Sequence, residues 1–344
     1  MVSAFSPGGR QVRTGRGWSF LFFWWLVVLS PSWGHAAGDG RWAILLAGIS
    51  GDPDLQKEFL SELKNLRAIL ETTALIPKER IAVLADDPSK DPDLVRLQCT
   101  RQNLQAVCRE FAAKVRQEDL VFIFLVGHGN FEGNVYKLNL VGPDPTAEEI
   151  ASMLYSIPAK QIVVINTTTC SGGSLPAFSH PGTIVVTATK SGMEKNQTRM
   201  AAFLIEAFKD HNADVDKNGR VSILEAFSFA ARKVEESYDK EGALQTEHPV
   251  LDDNGDGQGH AQPGPDNGDG FLARTTYLEA APPLMTQVKL DPEQQALAAE
   301  AEAIEKQIEA LKYAKAEMSE TEYEKKLEAL LLRLAQINEK LPKK

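Results

Sequence analysis

The 344-residue chain is long enough for one sizeable α/β domain and an appendage. Its 43% apolar and 8% aromatic content fits a packed globular protein and argues against a disordered one. With 37 basic against 47 acidic residues the net charge is −10, and no basic patch with interleaved aromatics occurs. That balance argues against a nucleic-acid binder and suits a protein that recruits cations.

The N-terminus reads as a secretory signal over residues 1–37. Arg10, Arg13 and Arg16 form its positive region, WSFLFFWWLVVL (18–29) its apolar run, and Gly34-His35-Ala36-Ala37 its small-residue cleavage site. The run is shorter than the roughly 20 residues a membrane-spanning helix needs. The expectation is therefore an exported protein, periplasmic or extracellular, with no membrane span once the signal is removed. An uncleaved anchor is the competing reading.

From residue 38 to about 250 strands and helices alternate. Trp42–Ile49, Arg80–Ala85, Leu120–Gly127, Gln161–Thr167 and Gly182–Thr189 are apolar runs of strand length. Between them lie amphipathic helical stretches after Asp54, Thr100 and Thr146, and a short hairpin around Tyr136–Leu140. This rhythm predicts a three-layer α/β/α sandwich with a mostly parallel sheet, whose chemistry collects beyond the carboxyl ends of the strands.

Three cysteines are present, Cys99, Cys108 and Cys170, an odd number for an exported chain. Cys99 and Cys108 are separated by nine residues of mostly helix, about 13 Å along the axis. A disulfide wants its α-carbons within about 7 Å. Cys108 falls instead on an apolar helical stripe with Leu104, Phe111 and Val115, so no disulfide framework is expected.

Two strand ends carry candidate chemistry: Gly127-His128-Gly129, and Thr169-Cys170-Ser171-Gly172-Gly173. If the two strands are neighbours, an imidazole and a thiol emerge from one sheet edge, as a Cys/His nucleophilic pair requires. The flanking glycines let backbone N–H groups approach a developing oxyanion. On spacing alone the signal is weak, since a His-Gly after a strand is commonly a loop residue and a single Cys commonly core.

An apolar strand ending in His-Gly, about 40 residues of hairpin and helix, then an apolar strand ending in Cys-x-Gly resembles the caspase, legumain and metacaspase clan of cysteine peptidases. The resemblance covers about residues 41–240 and rests on two short motifs. It implies a six-stranded sheet between helical layers. It makes His128 the acid/base, Cys170 the nucleophile, the amides of Gly129 and Cys170 the oxyanion hole, and a peptide or protein the substrate. Two registers stay open. Cys170 fits the caspase spacing, whereas the legumain spacing puts Thr169 in the nucleophile's place and makes the domain an inactive relative. Transpeptidation through the same acyl-enzyme is a lesser option, and no residue can be assigned to a specificity pocket.

After a helix from about Arg199 to Asp210, Asp214-Val-Asp-Lys-Asn-Gly-Arg-Val-Ser-Ile-Leu-Glu225 matches the twelve-residue calcium loop. Oxygen ligands for Ca²⁺ come from Asp214, Asp216, Asn218, the carbonyl of Arg220, Ser222 and a bidentate Glu225. Gly219 permits the turn, and a second helix runs on to about Tyr238. The stretch 251–290 is rich in Gly, Asp and Pro and reads as a linker. Asp252, Asn254 and Asp256-Gly257 repeat the opening of the calcium rhythm, but position twelve would be Pro263, and whether a second ion binds there is left open.

Residues 291–344 change to helical periodicity. Leu297, Ala301, Ile304, Ile308 and Leu311 form one seam; Tyr323, Leu327, Leu330, Leu334, Ile337 and Leu341 form another. Ser319 and Glu322 restart the helix between them. The expectation is a helical hairpin or short coiled coil, with docking of a protein partner as its alternative use. The whole then reads either as a cysteine peptidase with a structural calcium site or as an inactive, calcium-binding scaffold.

Overall fold

The computed structural model describes residues 40–209, 211–279 and 291–341. The signal-peptide reading for 1–37 lies outside the described residues.

Nine strands and nine α-helices of the described residues are connected in the order β1 (Arg41–Ala47), α1 (Pro53–Thr72), β2 (Ile81–Ala85), β3 (Leu97–Gln98), α2 (Arg101–Ala112), β4 (Leu120–Val126), β5 (Gly129–Glu132), β6 (Val135–Leu138), α3 (Ala147–Leu154), β7 (Gln161–Asn166), α4 (Leu175–Phe178), β8 (Thr183–Thr187), α5 (Met200–Ala207), α6 (Ile223–Glu241), β9 (Val250–Asp252), α7 (Phe271–Thr275), α8 (Pro292–Tyr313) and α9 (Glu320–Asn338). Seven strands form one sheet, ordered β3-β2-β1-β4-β7-β8-β9, parallel except for β9. The α/β/α expectation holds, with one strand more than the six implied. Two of the seven lie outside the five apolar runs: Leu97–Gln98, parallel to β2, and Val250–Asp252, which pairs antiparallel with Val185–Thr187.

The central strands are apolar on both faces because helices cover both. On β1, Ala43, Leu45 and Ala47 join a core with α1, α5 and α6, while Trp42, Ile44 and Leu46 join one with α2, α3 and α4. β4 alternates the same way, Phe122, Phe124 and Val126 against Val121, Ile123 and Leu125. Cys108 sits in the second core as the helical stripe anticipates.

Helix starts follow their capping residues. Thr100 accepts from the N–H of Asn103, and Thr146 with Glu149 closes a full capping box on α3. Asp52 caps α1, with Pro53 at the first helical position where its missing N–H costs nothing.

The glycine- and aspartate-rich stretch after 250 departs from the linker expectation. It is bound into the fold. Asp252, Asp253 and Asp269 are buried, and their carboxylates accept N–H bonds from the loop itself: Gly255 and Gly257 to Asp252, Gly270 and Ala273 to Asp253, Asp253 and Asn254 to Asp269. Composition signals missing apolar contacts, yet here acidic side chains supply the order by satisfying backbone donors. Residues 280–290 lie outside the described residues.

The two C-terminal helices form the expected hairpin, sealed by Ala301, Ile304, Ile308 and Ile337 with the leucines of both seams. An Arg333–Glu300 ion pair of 2.6 Å crosses between them. α8 also rests on the main domain. Tyr313 donates to the Asp269 carbonyl at 2.8 Å, and its ring meets Phe271 edge-on at 5.5 Å.

Candidate functional site

The order in which strands are added reverses between β1 and β4, since β2 lies to one side of β1 and β4 to the other. At such a switch point loops leave in opposite directions and open a crevice beyond the strand ends. His128 emerges there. Its Nε2 is 3.2 Å from the Ser50 carbonyl beyond β1, and its ring packs edge-on against Phe59 of α1 at 5.9 Å. Ser50 is fixed in turn by its N–H and hydroxyl, which both donate to Asp86 beyond β2. Gln56 donates to the same carboxylate.

The next strand tip is β7. Thr169, 5% exposed, bridges directly to the residue after the histidine. Its hydroxyl donates to the Gly129 carbonyl at 2.9 Å and accepts from the Gly129 N–H at 3.0 Å. The preceding Asn166 and Thr168 are fully buried and mutually bonded, with Tyr136 and Ser174 completing the network. The side chains of Asn166, Thr167, Thr168 and Thr169 all have partners, so the turn is a rigid support.

Cys170 follows at φ +59°, in the left-handed region that β-carbon-bearing residues rarely enter. Its side chain packs in the core that also holds Tyr136, Leu175 and Phe178, beside the Thr169 hydroxyl and the Phe131 N–H. It is 2% exposed. Burial pushes its thiol above the ordinary value, against a lowering pull from Lys195 and the Thr169 hydroxyl. No hydrogen bond joins Cys170 to His128. The two amides expected to form the oxyanion hole are both already used: that of Gly129 by Thr169, that of Cys170 by the Glu194 carbonyl at 2.8 Å. A thiol with a raised pKa yields less of the thiolate that attacks.

The β5–β6 hairpin closes this pocket. Phe131 lies over Gly173 and Gly192, where any β-carbon would enter its ring. Gly172 is held tighter still, since a β-carbon would stand 2.5 Å from both the Thr189 carbonyl oxygen and the Lys190 carbonyl carbon. Gly172→Ala is expected to cost about 1–3 kcal/mol by overpacking, read as a lower urea midpoint with an unchanged slope.

Sequence reasoning missed two groups at this edge. Glu194 accepts from His248 Nδ1 at 2.5 Å and from the Lys190 N–H. It thereby ties the loop after β8 to the one before β9. Asp86 anchors Ser50 as described. Neither stands in a motif, and only the topology brings them to the edge.

The second candidate centre is the loop before α6. Oxygens of Asp214, Asp216 and Glu225 lie within 4.8 Å of one another. Glu225 spans the loop: one oxygen accepts from the N–H groups of Val215 and Asp216, the other from the N–H and hydroxyl of Ser222. Asp214 accepts from the N–H groups of Asn218 and Gly219. Lys217 (φ +58°) and Gly219 (φ +89°) turn the chain back. Burial raises the pKa of Asp216, and the neighbouring carboxylates of Glu225 and Asp214 raise it further. Three carboxylates whose oxygens converge fit a hard divalent cation. The Ser222 hydroxyl serves as N-cap of α6, accepting from the Glu225 N–H at 3.2 Å. Asn218 donates to Asp216 and to Tyr277. Arg220 lies over the Tyr277 ring at 3.8 Å and pairs with Glu302 of α8 at 3.6 Å.

Among solved structures, the chain aligns with caspase-1 from Spodoptera frugiperda. The two are 13% identical, the alignment covers 63% of this chain and 89% of that one, and the TM-score is 0.39. No protein-family model matches the sequence, and no curated protein matches it.

The later acidic loop repeats part of the first. Gly257 donates to Asp252, Asp256 to Asn254, and Gln258 to Asp256, the spacing seen from Asp214 to Arg220. In place of a closing glutamate, His260 Nδ1 meets Asp269 at 2.6 Å. Among the described residues, no helix is long and apolar enough to cross a membrane.

Proposed function

We propose that this chain is an exported, caspase-like domain, stabilised by calcium at Asp214–Glu225, that holds a peptide or protein partner without hydrolysing it. One observation carries the reading. The side chain that bonds from the β7 tip to Gly129, next to His128, is the hydroxyl of Thr169, while the Cys170 sulfur is buried beside that hydroxyl and the Phe131 N–H and makes no hydrogen bond to His128. This corresponds to the legumain register, in which threonine replaces the nucleophile. A threonine hydroxyl needs a base to attack a carbonyl, and here it is engaged at both its donor and acceptor sites by Gly129.

Export follows from the arginines, apolar run and small residues of 1–37. Calcium follows from the loop spacing and its convergent carboxylates. When bound, the ion would supply charge neutralisation. The chain's own part is to present those oxygens and to hold the loop against Tyr277 and α8 through Asn218 and Arg220.

Active peptidase is the second reading, favoured by the direct contact between the two strand-tip motifs. The two readings separate on labelling. Iodoacetamide at pH 6 is expected to modify Cys170 no faster than Cys99 or Cys108, and a fluorogenic peptide library is expected to show no turnover. Rapid labelling of Cys170, with cleavage lost in Cys170→Ala, would establish the peptidase instead.

A further inference from the structure

We propose that the cleft between α1 and the end of α5 binds an organic ammonium group, the head of an alkylamine or of a lysine side chain. The cleft has a volume of 610 Å³ and lies away from both centres described above. That size suits a small ligand. Its wall carries Glu58 and Glu62 from α1 and Glu206 from α5, against the single cation Lys209. Lys233 of α6 approaches Glu206 at 3.6 Å from outside the lining.

Glu62 is the residue that asks for a ligand. It is only 9% exposed, it lines the cleft, and its Oε2 is buried without a hydrogen-bond partner. A buried carboxyl without a partner is costly, and one carrying charge costs more. Glu58 stands one turn earlier on the same helix, an i,i+4 like-charge pair that disfavours the empty site. Burial, then Glu58, raises the Glu62 pKa to about 8.

The chemistry of the ligand follows from the lining. A divalent ion needs its carboxylate oxygens to converge, and the metal-type cluster found among the described residues is Asp214, Asp216 and Glu225, not these glutamates. Ala202 and Ile205 offer an apolar floor for methylenes, and Ser61 offers a hydroxyl to an N–H donor. An ammonium on an alkyl chain matches both. The ammonium would draw the proton off Glu62, so binding at pH 7 releases one proton to the buffer.

Calorimetry on the full mature chain tests this with cadaverine and with Nα-acetyl-lysine amide as probes, beside neutral pentanol. Saturable binding of an amine is expected, with a heat that varies with buffer ionisation enthalpy. Glu62→Gln is expected to weaken it at least tenfold and Glu58→Gln a few-fold, with melting temperatures equal to or above that of the unsubstituted chain. Binding of both amines assigns the site to the ammonium group itself; binding of the lysine amide alone assigns it to a protein side chain. The proposal falls if neither amine binds at millimolar concentration, if pentanol binds equally, if Glu62→Gln binds normally, or if magnesium alone gives a Glu62-dependent heat.

Discussion

Chelation of calcium is expected to lower the melting temperature of the mature chain by roughly 5–10 °C. A ligand that binds only the folded state stabilises it by about 2.7 kcal/mol at a hundred times its dissociation constant. For a domain of this size each kcal/mol shifts the midpoint by roughly 2–4 °C. Burial, then the carboxylates of Glu225 and Asp214, already raises the pKa of Asp216, and the ion would offset that crowding of charge. Glu225→Gln should erase the difference between calcium and chelator. The absolute midpoint is the wrong readout for this variant, because Glu225 also accepts from the Val215 and Ser222 N–H groups. A midpoint indifferent to chelator in the unsubstituted chain would remove the ion from this account.

Stability is further expected to fall as pH rises from about 5 to 8, the reverse of ordinary acid denaturation. Burial raises Glu62 to about 8 and Glu247 to about 7, from an ordinary 4.5. Glu247 is held inside by the N–H groups of Arg199 and Met200, which lower it only in part. A carboxyl whose folded value lies above its unfolded value binds its proton more tightly when folded. Its contribution is then complete below pH 4.5 and is lost as pH climbs through the folded value. Together the two groups should remove on the order of a few kcal/mol across that window. Urea midpoints between pH 5 and 9 check this: Glu247→Gln should flatten the lower part of the decline and Glu62→Gln the upper. A midpoint that is level or rising between pH 5 and 8 would contradict the burial of both groups.

The sheet was legible because apolar runs such as Leu120–Val126 admit only a strand covered on both faces. The α8–α9 hairpin was legible from its two seams. What could not be read was direction. Spacing places Thr169 and Cys170 at one strand tip, but that Thr169 bonds Gly129 while Cys170 takes a left-handed φ is announced by no neighbouring residue. The closing strand β9 was hidden for a different reason. Asp252 and Asp253 belong to a composition that ordinarily solvates a linker, and only the long-range pairing with Val185–Thr187 reveals a buried edge. Glu62 looks in sequence like any exposed glutamate of an amphipathic helix, since its burial is imposed by helices distant along the chain.

All three sulfurs are withdrawn from solvent, and burial pushes the Cys108 thiol up to about 12 and that of Cys99 well above its usual value. If the chain is exported as proposed, this burial sets an order of events in an oxidising compartment. The polypeptide must collapse before oxidases reach it, because a mixed disulfide at 99 or 108 would lodge a foreign group in the interior between sheet and helix. Once folded, the same thiols are out of contact with solvent-borne oxidants and reductants alike.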